Sequence, residues 1–268
     1  MAFNSVYIEM VLIFFMFASS CNFMLHFRAI TGRRPREYLK DEEFRVFTAI
    51  TLLSILMITL ALTFMPDSGQ DMLNHREYQN HFFTSLRYAS FQVVSLISST
   101  GFVTGDFAQW PTFACAILFL ITFIGGCGGS TSGGMKCVRA LLLSKISFFE
   151  IRRCIYPHLV PNIRLNKVLL ETATQRKTFA FFALYMGTYF VFVLLYPLLC
   201  SDMSLETAIS TSLACLSNIG PGFGQIGPAF SYAWVSVPAK CAMAFEMLLG
   251  RLELYTILVL LSSKFWKK

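Results

Sequence analysis

Residues 86–98 read LRYASFQVVSLIS, an apolar run of thirteen, and are followed at once by Ser99-Thr100-Gly101-Phe102-Val103-Thr104-Gly105. As a helix this run reaches about 20 Å at 1.5 Å per residue, short of the roughly 30 Å hydrocarbon core of a bilayer. The pattern returns at residues 205–217, LETAISTSLACLS, followed by Asn218-Ile219-Gly220-Pro221-Gly222-Phe223-Gly224. A short helix that enters, stops at glycine and returns is a re-entrant pore loop. Irregular backbone at membrane depth survives only where protein buries it or where it lines a wet cavity.

Composition agrees with a membrane setting. Of 268 residues 55% are apolar and 14% charged, against about 25% charged in soluble domains. Mean hydropathy is +0.59, which excludes disorder and leaves too little polar surface for a water-soluble globule. The net charge of +7 would suggest nucleic acid in a soluble protein, but here its distribution points to topology, and no nucleic-acid partner is expected. Stretches 6–27, 44–65 (ended by Pro66), 179–200 and 237–261 are long enough to span. The first carries Glu9 near its start, has no basic leader, and reads as a span. A fifth stretch, 112–143, is interrupted by Gly125-Gly126-Cys127-Gly128-Gly129-Ser130-Thr131-Ser132-Gly133-Gly134.

Basic residues cluster at Arg28, Arg33, Arg34, Arg36, Lys40 and Arg45, again between 136 and 177, and at Lys264, Lys267 and Lys268. Loop 66–85 has Arg76 alone, and 201–236 has no Lys or Arg. The positive-inside rule places residues 28–45, 145–178 and the C-terminus in the cytoplasm, so both re-entrant loops dip from the outer side.

An offset of 119 residues sets Thr100-Gly101-Phe102 on Ile219-Gly220-Pro221 and Leu141-Leu142-Leu143-Ser144-Lys145 on Leu260-Leu261-Ser262-Ser263-Lys264. The units are outer helix, pore helix, glycine turn, inner helix and basic end, repeated about a pseudo-symmetry axis. The fold expected is an all-α polytopic membrane protein of helix–pore loop–helix repeats. Residues 1–43 hold an inner helix of a preceding repeat and a loop, 44–145 a repeat with a broken inner helix, 146–177 a cytoplasmic linker, and 178–268 a second repeat.

A dehydrated cation needs oxygens in place of its water, and backbone carbonyls supply them without a fixed charge that would hold the ion too tightly. Glycine permits the φ > 0 turns that aim several carbonyls at one axis. On this logic Ser99, Thr100 and Gly101 form one wall of a filter, and Asn218, Ile219 and Gly220 another. TVGYG is absent. The run 125–134 lacks Gly-Lys-Ser/Thr, and it is no nucleophile elbow. It reads either as a helix kink or small-residue packing patch, or as a gate below the filter; each glycine costs about 1 kcal/mol against alanine in a helix. Arg251, a charge within a span, pairs with Glu246 or Glu253, or lines the cavity and binds the gate-loop carbonyls. Asp106 either draws cations to the outer mouth or caps its turn. Trp110, Trp234 and Trp266 read as interfacial anchors. Cys115, Cys127, Cys137, Cys200, Cys215 and Cys241 read as reduced, buried small hydrophobes. His26, His75, His81 and His158 have no ligand spacing, so no metal site, organic cofactor or enzyme is expected.

These motifs carry a family resemblance. Ser20-Cys21-Asn22 with His26-Phe27, Asp41 with Glu43-Phe44-Arg45, Phe91-Gln92-Val93-Val94-Ser95, Thr100-Gly101-Phe102, residues 125–136, Asn218-Ile219-Gly220-Pro221-Gly222 and Gly250-Arg251-Leu252-Glu253 resemble the TrkH/TrkG/KtrB potassium transporters (the superfamily of K⁺ transporters), above all TrkH and TrkG. The resemblance implies K⁺ uptake across a bacterial inner membrane, with K⁺ held at the filter residues, a gate at 125–134 and Arg251 as its partner. It also implies a homodimer and a cytosolic nucleotide-binding subunit of the TrkA type. Family members have four repeats, and this sequence matches the last two plus one helix. A secondary cation symporter with re-entrant helices, and a half-pore inactive without further repeats, are the alternatives.

Overall fold

The computed structural model describes residues 5–33, 35–64, 82–158, 162–252 and 254–266. Arg34, Met65, Pro66, His75, Arg76, His81, Glu253, Lys267 and Lys268, which entered the sequence reading, lie outside the described residues.

The described residues are mostly helical. They form α1 (Val6–Ser20), α2 (Phe23–Thr31), α3 (Glu37–Lys40), α4 (Glu42–Phe64), α5 (Phe82–Ile97), α6 (Thr112–Ile124), α7 (Cys137–Ile155), α8 (Thr172–Leu199), α9 (Leu205–Leu216), α10 (Val237–Arg251), α11 (Leu254–Leu261) and α12 (Ser263–Trp266). A short antiparallel hairpin, β1 (Arg164–Leu165) and β2 (Val168–Leu169), was not foreseen. Its turn residues Asn166 and Lys167 both have positive φ, the geometry that suits a two-residue hairpin. The Asn166 amide then bridges Asp41 and the Glu42 N–H at 2.8 Å each, tying the hairpin to the start of α4.

Two expectations are corrected. Residues 6–27 are not one continuous helix, because the chain bends by 99° between α1 and α2. The Asn22 side chain caps α2 by accepting from Met24 N–H, so the turn is a built helix start. Residues 237–261 are likewise broken, between α10 and α11. By length and composition two described helices can cross a membrane, α4 and α8, and the bent pair would make a third. The stretch between repeats is also partly helical, since α7 runs to Ile155 and α8 starts at Thr172.

Each repeat builds its own core. Ile58, Val93, Phe107 and Leu118 join α4, α5 and α6, and Ile219 of the second repeat is packed into that cluster. Phe192, Tyr196, Leu213 and Met243 join α8, α9 and α10. Trp110 belongs to the first core at 5% exposure, so it is not an interfacial anchor; the apolar interior outcompetes the interface for its ring. Cys241 is exposed, although the sequence reading buried it. Glu9 is buried against Arg87 at 3.2 Å, which pins α1 to the first pore helix.

The glycines of α8 and α10 separate packing from propensity. A Cβ on Gly250 would meet Leu216 O at 2.1 Å and Asn218 Nδ2 at 2.7 Å, whereas one on Gly187 meets nothing within 4 Å. Gly250→Ala is expected to destabilise by about 1–3 kcal/mol through overpacking against backbone. Gly187→Ala is expected to be neutral or to stabilise by up to about 1 kcal/mol through helix propensity. Thermal unfolding followed by size-exclusion monodispersity checks the pair, and equal effects would contradict the packing of α10 on α9.

Candidate ion pathway and intramembrane loop

The two pore helices end in the same way. Ser98 and Ser217 N–H close the last turn onto Val94 O and Leu213 O at 3.0 and 2.9 Å. Ser99 and Asn218 N–H reach Leu96 O and Cys215 O at 3.1 Å each, and both residues sit at φ 55°. Thr100 and Ile219 N–H bond Ser95 O and Ala214 O at 3.0 Å each. Every pair is offset by 119 residues, so the repeat read from the sequence is also a repeat of backbone hydrogen bonds. Gly101 and Gly220 follow at φ 75° and 103°, where a side chain is strained.

The two turns lie side by side. A Cβ on Gly101 would stand 2.0 Å from Ile219 O and 3.1 Å from Pro221 Cδ. The N–H groups of Ser99, Thr100, Gly101, Asn218 and Ile219 are engaged while their carbonyls are not. Among the described residues, the carbonyls of Ser99, Thr100, Gly101, Asn218 and Ile219 accept no hydrogen bond. The Gly220 carbonyl differs, because the Tyr232 hydroxyl donates to it at 2.6 Å. These residues are partly buried, Ile219 fully, and carbonyls taken out of water are nearly always paired, so a cluster of open ones is a feature to be explained.

The Gly/Ser/Thr run lies directly against these turns. Gly133 N–H donates to Ser99 Oγ at 3.0 Å, and a Cβ on Gly133 would sit 2.3 Å from Ser217 O. The run is neither helix nor plain kink: Gly125, Gly129, Gly134 and Lys136 all have positive φ, and the chain re-enters helix at Cys137. Its polar backbone is satisfied from four directions. Cys127 N–H bonds Ser20 O at 2.9 Å at the α1–α2 bend, and Gly129 O accepts from Phe23 N–H. Glu43 of α4 accepts the Gly128 N–H. Lys136 Nζ caps Ser130 O and Ser132 O. Arg251 Nη1 donates to Thr131 O at 2.8 Å.

The TrkH family model, described as a cation transport protein, matches residues 1–268. The chain belongs to the TrkH family. It is 35% identical over 266 residues to the Trk system potassium uptake protein TrkH of Salmonella typhimurium, covering 99% of this chain and 52% of that protein. It is 31% identical to the Trk system potassium uptake protein TrkG of Escherichia coli, covering 99% and 51%. The crystal structure of the potassium transporter TrkH from Vibrio parahaemolyticus superposes with a TM-score of 0.87 at 36% identity, over 99% of this chain and 54% of that one. The chain therefore spans about half the length of the curated relatives it matches. Those relatives are named as potassium uptake proteins.

The TrkH-family frame also shows which residues the sequence reading misplaced or missed. Glu246 is not the partner of Arg251: it is fully buried, accepting from Ser212 Oγ at 2.6 Å and from the Tyr196 hydroxyl. Asp106 caps its turn through Ala108 N–H at 3.1 Å. Glu43 and Lys136 entered only as members of family motifs, with no role assigned, and Tyr232 was not singled out. An acid at the start of an apolar span was the available signal for Glu43. Nothing in the sequence announced Tyr232. Gly133→Ala is expected to push the run off the Ser217 carbonyl and lower stability by about 1–3 kcal/mol. An unchanged melting temperature would mean the contact yields freely.

Proposed function

We propose that this chain supplies two walls of a K⁺ uptake pathway in a bacterial inner membrane, with the loops at Ser99–Thr100–Gly101 and Asn218–Ile219–Gly220 as ion-coordinating turns. The observation that carries this reading is the set of open carbonyls after two equivalent pore helices. Helix C-termini add partial negative charge beside them. The reading makes K⁺ the transported substrate, needs no organic cofactor and no enzymatic step. The Tyr232 bond turns the Gly220 carbonyl into a structural group, so the second wall works chiefly through Asn218 and Ile219.

Residues 125–134 are read as the gate. They lie against the filter turns, and apart from Cys127, which packs with Cys21, Phe47 and Ile97, many of their contacts are reversible hydrogen bonds. Arg251 and Lys136 hold the loop by its carbonyls. The same reading takes the basic ends as cytoplasmic, the assembly as a homodimer, and the partner as a nucleotide-binding TrkA-type subunit. A pathway of four walls needs two more than this chain brings, which favours a half-pore completed by other repeats.

Complementation of a K⁺-uptake-deficient bacterium tests the reading. Growth at low K⁺ is expected when the missing N-terminal repeats are supplied, and not with this chain alone. Failure in both settings contradicts K⁺ uptake. In the complemented form Arg251→Ala is expected to raise basal Rb⁺ flux in proteoliposomes several-fold. Unchanged flux in both directions would remove Arg251 from the gate.

A further inference from the structure

Gly101 and Gly220 occupy equivalent places in the two turns but are held by different means. Gly101 N–H donates to Ser95 O at 3.3 Å, and a Cβ on this glycine would strike Ile219 O at 2.0 Å, so backbone and packing fix it together. Gly220 has neither support. Its N–H donates to no acceptor among the described residues, and a Cβ there would meet nothing within 4 Å. The chain is pinned before it by Ile219 N–H on Ala214 O and after it by Gly222 N–H on Ile226 O, at 3.0 Å each. Between those pins, the bond from the Tyr232 hydroxyl to Gly220 O, at 2.6 Å, is the one hydrogen bond that Gly220 makes among the described residues.

Tyr232 is itself firmly placed. It opens a single 3₁₀ turn, Tyr232–Trp234, and its ring packs against the core of the second repeat. Lys240 Nζ of α10 donates to Ala233 O at 3.0 Å, and Ser236 Oγ donates to Leu199 O at 2.8 Å, which ties the turn to α10 and to the end of α8. An anchored donor therefore reaches a carbonyl that the freedom of glycine would otherwise leave to rotate.

We propose that Tyr232 is a positioning residue that sets the ion preference of the second wall. The inference rests on the reading of the two turns as an ion-coordinating filter, and it names the group that keeps one of them in shape. A wall of carbonyls discriminates between cations by the number and spacing of its oxygens. With the hydroxyl bond made, the Gly220 carbonyl is fixed and the turn keeps one width. Without it, the Gly220 peptide is free to turn, and mobile carbonyls close on Na⁺ as well as on K⁺.

The test uses the complemented protein, this chain with the missing N-terminal repeats, in proteoliposomes, with uptake of radiolabelled Rb⁺ and Na⁺ measured in parallel. Tyr232→Phe keeps the ring in the core and removes only the hydroxyl. The Rb⁺-to-Na⁺ uptake ratio is expected to fall about fivefold in this variant, the factor that one net hydrogen bond of about 1 kcal/mol represents, with an unchanged melting temperature. Tyr232→Leu, which also gives up ring packing, is expected to lower both the ratio and the melting temperature. A selective wild type with an equally selective Tyr232→Phe overturns the role of Tyr232 and leaves the filter reading standing. A ratio that falls in Tyr232→Phe only together with the melting temperature marks a structural residue and overturns it as well. A wild type that takes up Rb⁺ and Na⁺ equally overturns the filter reading, and this inference with it.

Discussion

Backbone in hydrocarbon must find its partners within the protein, and this constraint organises the whole chain. Three segments leave regular helix at membrane depth: the turns after α5 and α9, and the run 125–134. In the turns, every N–H but that of Gly220 is paired back into the pore helices, while most acceptors stay open. In the run, donors and acceptors are taken up by neighbours on α1, α2, α4 and α10. Satisfaction is thus almost complete except where oxygens face the same small region. An unpaired buried polar group costs on the order of 1–3 kcal/mol, and a coordinated cation, on the proposed reading, would offset that cost wherever these carbonyls are shielded from water.

The repeats diverge where function needs asymmetry. Both pore helices end in the same hydrogen bonds at a 119-residue offset, but their inner helices break differently. The first breaks after Ile124 and resumes at Cys137, freeing a loop long enough to cross beneath both turns. The second stays helical to Arg251, and Gly250 lets that helix approach the end of α9. One repeat supplies the loop and the other a surface that holds it. The 99° bend between α1 and α2 serves the same end, because Ser20 O and Phe23 N–H at that bend receive the loop.

What was legible in the sequence is what periodicity and length encode. Thirteen apolar residues before glycine are too few to span, and that arithmetic located both pore helices and their turns. The repeat offset was readable because the turn sequences are short and rigidly spaced. Breaks within long apolar stretches were not readable at 21–22 or at Leu252, since Asn22 is a single polar residue and Leu252 carries no break signal. Side-chain partnerships were least legible. Spacing offered Glu246 to Arg251, but helix geometry turns residues five apart to different faces. Trp110 looked interfacial because its place in the chain was near a span end, and its burial depends on packing that no local pattern specifies.

The choice of partner for Arg251 is the last point that physical scale decides. A buried Arg–carboxylate pair is costly to break, about 3–5 kcal/mol when one partner is lost, because an uncompensated charge remains. A bond from Arg251 to a neutral carbonyl leaves the guanidinium exposed and hydrated when it opens, and its net strength is on the order of 1.5–3 kcal/mol. Glu246 is meanwhile held by hydroxyls from α8 and α9. Keeping the acid behind the pore helix and the base on the cavity wall prevents the stronger pair from forming. A segment proposed to swing aside during transport is thereby fastened by contacts weak enough to exchange.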